Sequence, residues 1–323
     1  MLKHGKSEFN FLPRTFCLPA DTKLLRKVWE RKGGKGRWIV KPPALARGEG
    51  IKVINKWSQI PSARPLIVQR YVARPYLINE TKFDLRLYLL VTSVNPLRLY
   101  LYDDGLVRFA SNKYSNESSK VQDLFTHLTN YSINKKSATY VSNEESEEEK
   151  GHKWTLKTLW RHFDAAGIDH SVIWEKIKDL MIKTVLSAET NLVNLHNSNV
   201  ASKYSCFELF GFDILLDSKL KPWLLEVNIS PSLHSSSTLD LDVKSPLATE
   251  VFNMARYHIP NRLKQKEQTE IAAKMGYANI TQLCFDRRLY IKELSKAERN
   301  KHELYVQQAA CSEDTLPPMG ELK

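Results

Sequence analysis

Two carboxylates and one amide side chain fall close together between Phe207 and Asn228. Asp213 lies in the apolar run GFDILL, and Glu226 and Asn228 are separated by one residue in WLLEVN. Positions two apart in a strand face the same side, so Glu226 and Asn228 project together, and a hairpin partner would set Asp213 opposite them. Oxygen-only ligand sets of this kind suit Mg²⁺, which also keeps water and phosphate oxygens as ligands. The alternative is a half-exposed strand on which polar and apolar residues simply alternate.

A second candidate segment is WIVKPPALARGEG, residues 38–50. Lys41 follows a run typical of a buried strand, where its ammonium group could meet an α- or β-phosphate as a compact charge. Arg47 and Gly48 open a glycine-containing loop that could bring backbone N–H groups over phosphates. The P-loop pattern GxxxxGK[ST] does not occur in it. A surface hairpin with a glycine turn explains the segment equally well.

Polar and apolar residues alternate in the third candidate segment, KFDLR. The pattern predicts a strand with Lys82, Asp84 and Arg86 on one face and their apolar neighbours in the core. A solvated sheet face is the plain alternative. The run VQRYV at 68–72 could offer backbone groups and an apolar wall to a purine, as could any buried strand end.

The elements that must position these residues follow from hydrophobic periodicity. Strands are predicted at 38–40, 51–54, 66–72, 83–92, 97–102, 106–110, 207–216 and 222–227, with turns at 93–96, 103–105 and 217–219. Helices are predicted at 20–31, 154–166 and 172–196, and in the charged segment from about 261. Strand pairs joined by tight turns, with long helices between them, indicate an α+β or mixed α/β fold.

The composition predicts a globular protein with an acidic partner. A formal net charge of +12 attracts nucleic acid, an anionic membrane or an acidic protein surface. No zinc spacing or aromatic-basic RNA motif occurs, so nucleic acid is not expected. With neither a signal peptide nor a run of eighteen apolar residues, no membrane partner is expected either. Four scattered cysteines fit reduced thiols, and we expect a monomer.

The order of the sequence motifs limits the possible fold and function. Along the chain the motifs are WIVKP, RGxGI, VQRY, KFDLRLY, HLTNYSINK, ELFGFDILLD and WLLEVNISPSL. From about residue 9 to 260 the chain resembles the tubulin-tyrosine-ligase-like family, which has an ATP-grasp fold with nucleotide between two sheets. The segments KWSQIPSARPLIVQRY and DGLVRFASNKYS resemble sequences of the polyglutamylase branch of this family. Within that branch they are most similar to its fourth numbered member.

The resemblance also implies a domain organisation. A central ATP-grasp subdomain would span residues 1–110, and a C-terminal one residues 111–260, with a mobile acidic loop at 142–150. A basic helical tail would follow at 261–323. Members usually carry a further N-terminal domain, so the chain is expected to start at the edge of that domain.

By similarity to the family, individual residues acquire roles. Asp213, Glu226 and Asn228 would hold the magnesium ions that bridge ATP phosphates. Glu226 and Arg86 would be catalytic, with Arg86 approaching the phosphoryl group or the acceptor carboxylate. The positions that match nucleotide contacts are Lys41, Arg47, Gly48, Gln69, Arg70, Tyr71, Val72, Lys82, Phe83, Asp84, Thr129 and Asn130. The positions that match glutamate contacts in the branch are Arg108, Tyr131, Ser132 and Lys244.

The activity implied by the resemblance is that of a tubulin polyglutamylase. ATP would phosphorylate the γ-carboxylate of a glutamate in an acidic tubulin tail, and the α-amine of free L-glutamate would attack the acylphosphate. ATP and Mg²⁺ are the implied cofactors. The implied partners are tubulin, microtubules, L-glutamate and other acidic proteins such as histone chaperones. The implied location is the cytoplasm and cytoskeleton, with the cilium or basal body as a further candidate.

Two rival readings stay open: a catalytically weak microtubule-binding protein, and a ligase of the same family that uses glycine or tyrosine. Residues 262–301 contain ten basic and five acidic side chains. This excess of positive charge fits either a microtubule-binding element or a solvated helical face. The acidic loop could itself be modified. His127 and His234 could shuttle a proton or make structural hydrogen bonds.

Overall fold

The structure is a computed structural model that describes residues 8–43, 48–61, 65–117, 120–141, 151–200 and 206–255. Two antiparallel sheets, one of four strands and one of six, organise these residues. Together with the helices they confirm the predicted mixed α/β fold class. The predicted contact Arg47, the acidic loop at 142–150 and the basic tail at 261–323 lie outside the described residues.

The first sheet has the strand order β1-β4-β2-β3. Its strands are β1 (Thr15–Leu18), β2 (Trp38–Lys41), β3 (Lys52–Ile54) and β4 (Leu66–Arg70). Helix α1 (Thr22–Arg31) covers it, because apolar residues recur on one side of the helix. Trp29 of α1 stacks on Trp38 of β2 with 5.6 Å between the ring centroids. This small core fixes the end of β2, where Lys41 lies.

The second sheet has the order β10-β9-β6-β7-β8, with β5 paired to β6. Two long central strands, β6 (Thr81–Val94) and β7 (Leu97–Phe109), form the predicted hairpin. The other strands are β5 (Leu77–Ile78), β8 (Lys153–Thr155), β9 (Glu208–Leu216) and β10 (Pro222–Ile229). The helices are α2 (Leu124–His127), α3 (Tyr131–Asn134), α4 (Leu156–Ala165), α5 (His170–Leu186), α6 (Glu189–Asn199) and α7 (Thr238–Met254).

The two faces of the second sheet differ because side chains alternate along each strand. Leu85, Phe212 and Ile214 point into the main core, which α4 and α5 complete. On the opposite face, Tyr88 and Leu106 pack with residues of α7. Lys82, Asp84 and Arg86 of β6 and Asp213 of β9 lie on this second face, whereas Glu208 of β9 pairs with Val91 on the other. The sheet therefore carries a charged surface backed by a large apolar core.

Several features differ from the sequence predictions. The predicted turn at 103–105 is wrong: these residues continue β7, and the register with β6 shifts between Leu87 and Leu89. Asp104 is buried there and accepts N–H groups from Gly105 at 2.8 Å and Leu156 at 3.0 Å. The Asp-Asp-Gly sequence thus makes a bulge that caps α4.

The single helix predicted at 172–196 is also wrong, since α5 ends at Leu186 and α6 begins at Glu189. Ser187 Oγ donates to the Thr184 carbonyl at 2.6 Å, a local bond that competes with helix continuation. Helix α7 was not predicted at all. Among the described helices, none combines the length and apolar character needed to span a membrane.

Candidate functional site

A row of charged side chains crosses three neighbouring strands of the second sheet. The register pairs Glu226 of β10 with Asp213 of β9, and Asp213 with Arg86 of β6. Residues directly opposite each other in antiparallel strands share a face. The prediction that a hairpin sets Asp213 opposite Glu226 is therefore confirmed, and Arg86 joins the same row.

Asp213 is buried between two arginines. Arg86 Nε lies 2.5 Å from its Oδ1 and Arg86 Nη2 lies 3.2 Å from its Oδ2, while Arg108 Nη2 lies 2.9 Å from Oδ2. Arg108 also donates to both oxygens of Asp84, at 2.9 and 2.6 Å. Burial alone would raise the pKa of Asp213, but Arg108 and Arg86 outweigh it and hold that pKa well below its usual range.

Glu226 has the opposite shift. Loss of water around its carboxyl group in the cleft, followed by the charge of Asp213, raises the pKa of Glu226, and Lys41 and Arg108 oppose this. Two carboxylates side by side favour a cation between them. Asn228 Nδ2 donates to the Gly211 carbonyl at 3.1 Å, which leaves its amide oxygen available as an acceptor.

The donor chemistry of this set fits magnesium, which prefers few carboxylates and additional oxygen ligands. Three contacts to Asp213 already use three of its four lone-pair directions. Within the described ranges, no group of three or more His, Cys, Asp and Glu side chains is arranged to hold a metal ion. A metal here therefore depends on Glu226, the remaining direction on Asp213, and the Asn228 amide oxygen.

Lys41 connects the two sheets at the site. It ends β2 of the first sheet, and its Nζ donates to the Leu225 carbonyl of β10 at 3.4 Å. Burial lowers the pKa of Lys41, while Glu226, Asp213 and Asp84 act to raise it. A lysine charge from one sheet thus faces the carboxylates of the other, as expected for a phosphate contact.

A buried network lies beside this row. Lys82 Nζ donates to the His127 carbonyl at 2.6 Å and lies 3.4 Å from Tyr71 Oη. His127 Nε2 lies 3.1 Å from the Lys120 carbonyl, so it donates there, and Nδ1 accepts from Tyr71 Oη at 2.9 Å. Burial lowers the pKa of His127 to about 4 and that of Lys82 to about 8. The contacts favour the structural role for His127 over the proton shuttle.

A cavity adjoins Arg108. It is lined by Arg108, Phe109, Thr129, Tyr131, Asn134, Tyr140, His152 and Lys153. Lys153 Nζ lies 4.5 Å from the centroid of the Tyr131 ring. Lys244 of α7 reaches the same region, because Asp240 binds Lys153 at 2.7 Å and Lys244 at 3.2 Å.

Lys153 is a candidate that the sequence reasoning missed. The segment was assigned to the start of a helix at 154, whereas residues 153–155 form the short strand β8. The register pairs Lys153 with Arg108 of β7, which puts both cations on one face. The sequence pattern could not identify Lys153 as a site residue. The strand is only three residues long, which is too short to show the alternation of polar and apolar residues.

The loops bring two further nucleotide candidates together. Gly48 has a φ of +78°, and a Cβ there would lie 3.0 Å from Asn130 Oδ1 and 2.6 Å from Ile133. Only glycine therefore fits between this loop and α3. Thr129 is buried beside Asn130, while Ser132 and Val72 are half-buried.

Several predicted side chains point elsewhere. Phe83 is 1% exposed and belongs to the core on the opposite face of the sheet. Gln69 donates to Thr15 Oγ1 at 3.1 Å, and Arg70 lies 5.3 Å from the Trp38 ring centroid. The Phe83 and Arg70 side chains are therefore not brought to the cleft, so only their backbones remain as candidate nucleotide contacts. Gln69 pairs with Ile39 and lies on the same face of the first sheet as Lys41. His234 is exposed, and its carbonyl accepts from Lys244 Nζ at 2.5 Å.

Two antiparallel sheets that meet at a cleft, with lysines and carboxylates facing one another across it, are features of the ATP-grasp class. The model of the tubulin-tyrosine ligase family matches residues 1–267. The chain belongs to this family.

Similar proteins carry related names. The chain is 55% identical over 259 residues to the Mus musculus protein named tubulin monoglutamylase TTLL4, covering 80% of this chain and 22% of that protein. It is 43% identical over 304 residues to Caenorhabditis elegans tubulin polyglutamylase ttll-4, covering 93% and 48% respectively. It is 44% identical over 255 residues to Homo sapiens tubulin polyglutamylase TTLL5, covering 79% and 20%. The chain thus spans a fifth to a half of the length of these relatives.

Proposed function

We propose that this chain contains the catalytic core of an ATP- and magnesium-dependent ligase that adds L-glutamate to γ-carboxylates in acidic tubulin tails. The observation that carries the proposal is the position of Arg108. It lines the cavity beside Tyr131 and Lys153 and also contacts Asp213, the partner of Glu226. The Arg108 guanidinium group thus lies between two sites. One is a positively charged pocket that could bind an amino acid, and the other is a pair of carboxylates suited to a metal–phosphate site.

Nucleotide would bind in the cleft between the sheets. Lys41 and Lys82 present ammonium groups from opposite sides, and the Gly48 loop and Asn130 approach each other nearby. Asp213, Glu226 and Asn228 would hold magnesium, which when bound neutralises phosphate charge and fixes the phosphate oxygens. The backbone of residues 69–72 would contact the base.

The incoming amino acid would bind in the cavity by Arg108. Arg108, Lys153 and Lys244 supply positive charge for two carboxylates. Because Nε and Nη2 of Arg108 already bind Asp84 and Asp213, its Nη1 would donate to the ligand. Tyr131 and Ser132 would complete the pocket. An acidic amino acid satisfies this pocket better than glycine or tyrosine, because each of those brings a single carboxylate.

Catalysis would rest on positioning and charge stabilisation. Arg86 lies in the same row as Asp213 and Glu226, between the nucleotide cleft and the amino-acid pocket, and would steady the phosphoryl group or the acceptor carboxylate. The α-amine of glutamate would then attack the acylphosphate of the acceptor, and phosphate would leave. No side chain of the chain needs to become covalently attached.

The protein partner would be an acidic tail, attracted by the net charge of +12. Tubulin is proposed as the substrate because the similar proteins are named for it. The two longer sequence segments given above favour the fourth numbered member of the polyglutamylase branch. Other acidic proteins such as histone chaperones, and a cytoskeletal or ciliary location, belong to the same proposal. So do the two ATP-grasp subdomains and the basic tail as a microtubule-binding element.

The test is mass spectrometry of tubulin tails after incubation with the chain, ATP, Mg²⁺ and one of three labelled amino acids. We expect glutamate to be added and glycine and tyrosine to be left. Preferred addition of glycine or tyrosine would replace glutamate as the substrate. Microtubule binding without ATP consumption would instead support the rival reading of a non-catalytic binding protein.

A further inference from the structure

Asp240 is a buried carboxylate that lies between two lysines. It is 1% exposed and belongs to the first turn of α7. Its Oδ2 lies 2.7 Å from Lys153 Nζ and its Oδ1 lies 3.2 Å from Lys244 Nζ. Oδ2 also accepts from the N–H of Ser236 at 3.2 Å and from its hydroxyl at 3.0 Å. Both oxygens of one carboxylate are thus shared by lysines from two different elements.

The two ammonium groups need such a partner. The side chains of Lys153 and Lys244 are 9% and 10% exposed, and a buried cation is costly unless it is paired. Burial lowers the pKa of Lys244, Asp240 raises it, and Lys153 and Arg86 lower it further. Asp240 is thus the group that opposes the lowering of the Lys244 pKa by burial and by those two cations.

Capping of α7 does not explain Asp240. Ser237 is the N-cap of α7 and accepts the Asp240 N–H at 3.2 Å, so the first turn already has its cap. The Asp240 carboxylate instead points to β8 and to the preceding loop. Its contacts are those of a group that holds cations in place.

We propose that Asp240 is a positioning residue that makes Lys153 and Lys244 a receptor for the second carboxylate of a dicarboxylic amino acid. This rests on the proposed function of the pocket. Lys153 lines the cavity with Arg108, and Asp240 ties Lys244 to Lys153. Arg108 then takes one carboxylate and the lysine pair takes the other. Selection of an acidic amino acid over glycine follows from two fixed cationic points.

The variant that tests this is Asp240→Asn, which keeps the size of the side chain and one acceptor oxygen but removes its charge. Dissociation constants for L-glutamate, glutarate and ATP are measured by calorimetry, without turnover. We expect binding of glutamate and glutarate to weaken about tenfold, as for the loss of one charge-assisted interaction, and ATP binding to stay within twofold. The loss should grow as pH rises, because the pKa of Lys244 falls further when the charge of Asp240 is removed.

The matched control is Asp169→Asn, which neutralises an aspartate that caps α5, a helix on the opposite face of the second sheet. It should lower stability and leave glutamate binding unchanged. If Asp240→Asn does not fold, Asp240→Glu carries the test: moving the charge by one methylene should shift the glutamate constant severalfold and not the ATP constant.

The outcomes separate the two proposals. A wild-type chain that binds glutamate, with Asp240→Asn binding it equally well at every pH, overturns the role of Asp240 alone. An equal change in glutamate and ATP binding also overturns it, because that is the behaviour of a purely structural residue. A wild-type chain that binds no glutamate overturns the proposed function and the receptor together.

Discussion

Asp213 and Glu226 are neighbouring carboxylates that respond in opposite ways to their surroundings. Two arginines keep the pKa of Asp213 low, whereas desolvation and the charge of Asp213 raise the pKa of Glu226. Separation of this kind is typical of functional sites. The two residues therefore have different roles. Asp213 binds the two arginines, and Glu226 supplies a negative charge that can bind a cation.

A change at Glu226 should therefore affect chemistry more than folding. We expect Glu226→Gln to lower ligation by about a hundredfold or more, because it removes a carboxylate from the metal–phosphate site. The measurement is the rate of glutamate incorporation at saturating ATP and Mg²⁺. Glu208→Gln is the matched control, since Glu208 lies on the adjoining strand and accepts the Ser230 N–H at 3.2 Å. Near-normal turnover of Glu226→Gln would contradict the metal assignment.

His127 should leave a signature in the pH dependence of stability. Burial lowers its pKa from 6.5 to about 4, so the unfolded chain binds a proton in this interval that the folded chain does not. The stability associated with neutral His127 is complete above pH 6.5 and is lost as the pH falls toward 4, by up to about 3 kcal/mol.

The measurement for His127 is the free energy of unfolding in urea at pH 7, 5.5 and 4.5. His127→Asn keeps a hydrogen-bonding side chain that does not titrate, so the difference between wild type and variant should shrink toward pH 4.5. A constant difference across this range would mean that His127 does not control the transition.

At the scale of elements, the bulge in β7 links folding to the site. Gly105 lies opposite Leu87, and a Cβ at Gly105 would lie 2.7 Å from the Arg86 carbonyl oxygen. Neither backbone can give way easily, since β6 is the central strand of the second sheet. The position of the Arg86 side chain thus depends on a glycine in the next strand.

We expect Gly105→Ala to destabilise the chain by about 1–3 kcal/mol and to reduce ligation further than the loss of folded protein explains. Thermal unfolding and the turnover of the folded fraction measure the two effects. Gly33→Ala is the control: no atom lies within 4 Å of its built Cβ, but its φ is +57°. That variant should lose about 1 kcal/mol of stability and keep its turnover.

At the scale of the whole molecule, the site exists only where the two sheets meet. Lys41 comes from the first sheet, and the carboxylates that it faces come from the second. Gly48 and Asn130 meet across the same gap. Binding of a nucleotide between the sheets would therefore stabilise their contact as well as the reacting groups.

The net charge predicts how the molecule meets its substrate. We expect truncation after residue 260 to weaken microtubule binding, because it removes the excess of basic residues counted between 262 and 301. Cosedimentation with microtubules at 50 and 200 mM salt measures it, and the difference between the full and the truncated chain should shrink at the higher salt, where the charges of the tail are screened. Binding that is indifferent to the truncation would remove the tail as the anchor.

The sequence by itself determined the strands that carry Lys41, Asp84, Arg86, Asp213 and Glu226, because each is flanked by strong apolar alternation. The sequence also predicted that a hairpin sets Asp213 opposite Glu226, but the register that starts at the turn pairs Leu224 with Ile214, and only the bulge between Leu224 and Glu226 brings Glu226 opposite Asp213. Only the tertiary structure decided that Asp103-Asp104-Gly105 is a bulge, because the N–H groups that Asp104 binds come from a helix about 50 residues away. It also decided that Lys153, Asp240 and Lys244 converge. Lys153 lies on a three-residue strand, and Asp240 and Lys244 lie on a helix without strong periodicity. These side chains meet through tertiary packing, which the spacing of residues along the chain does not reveal.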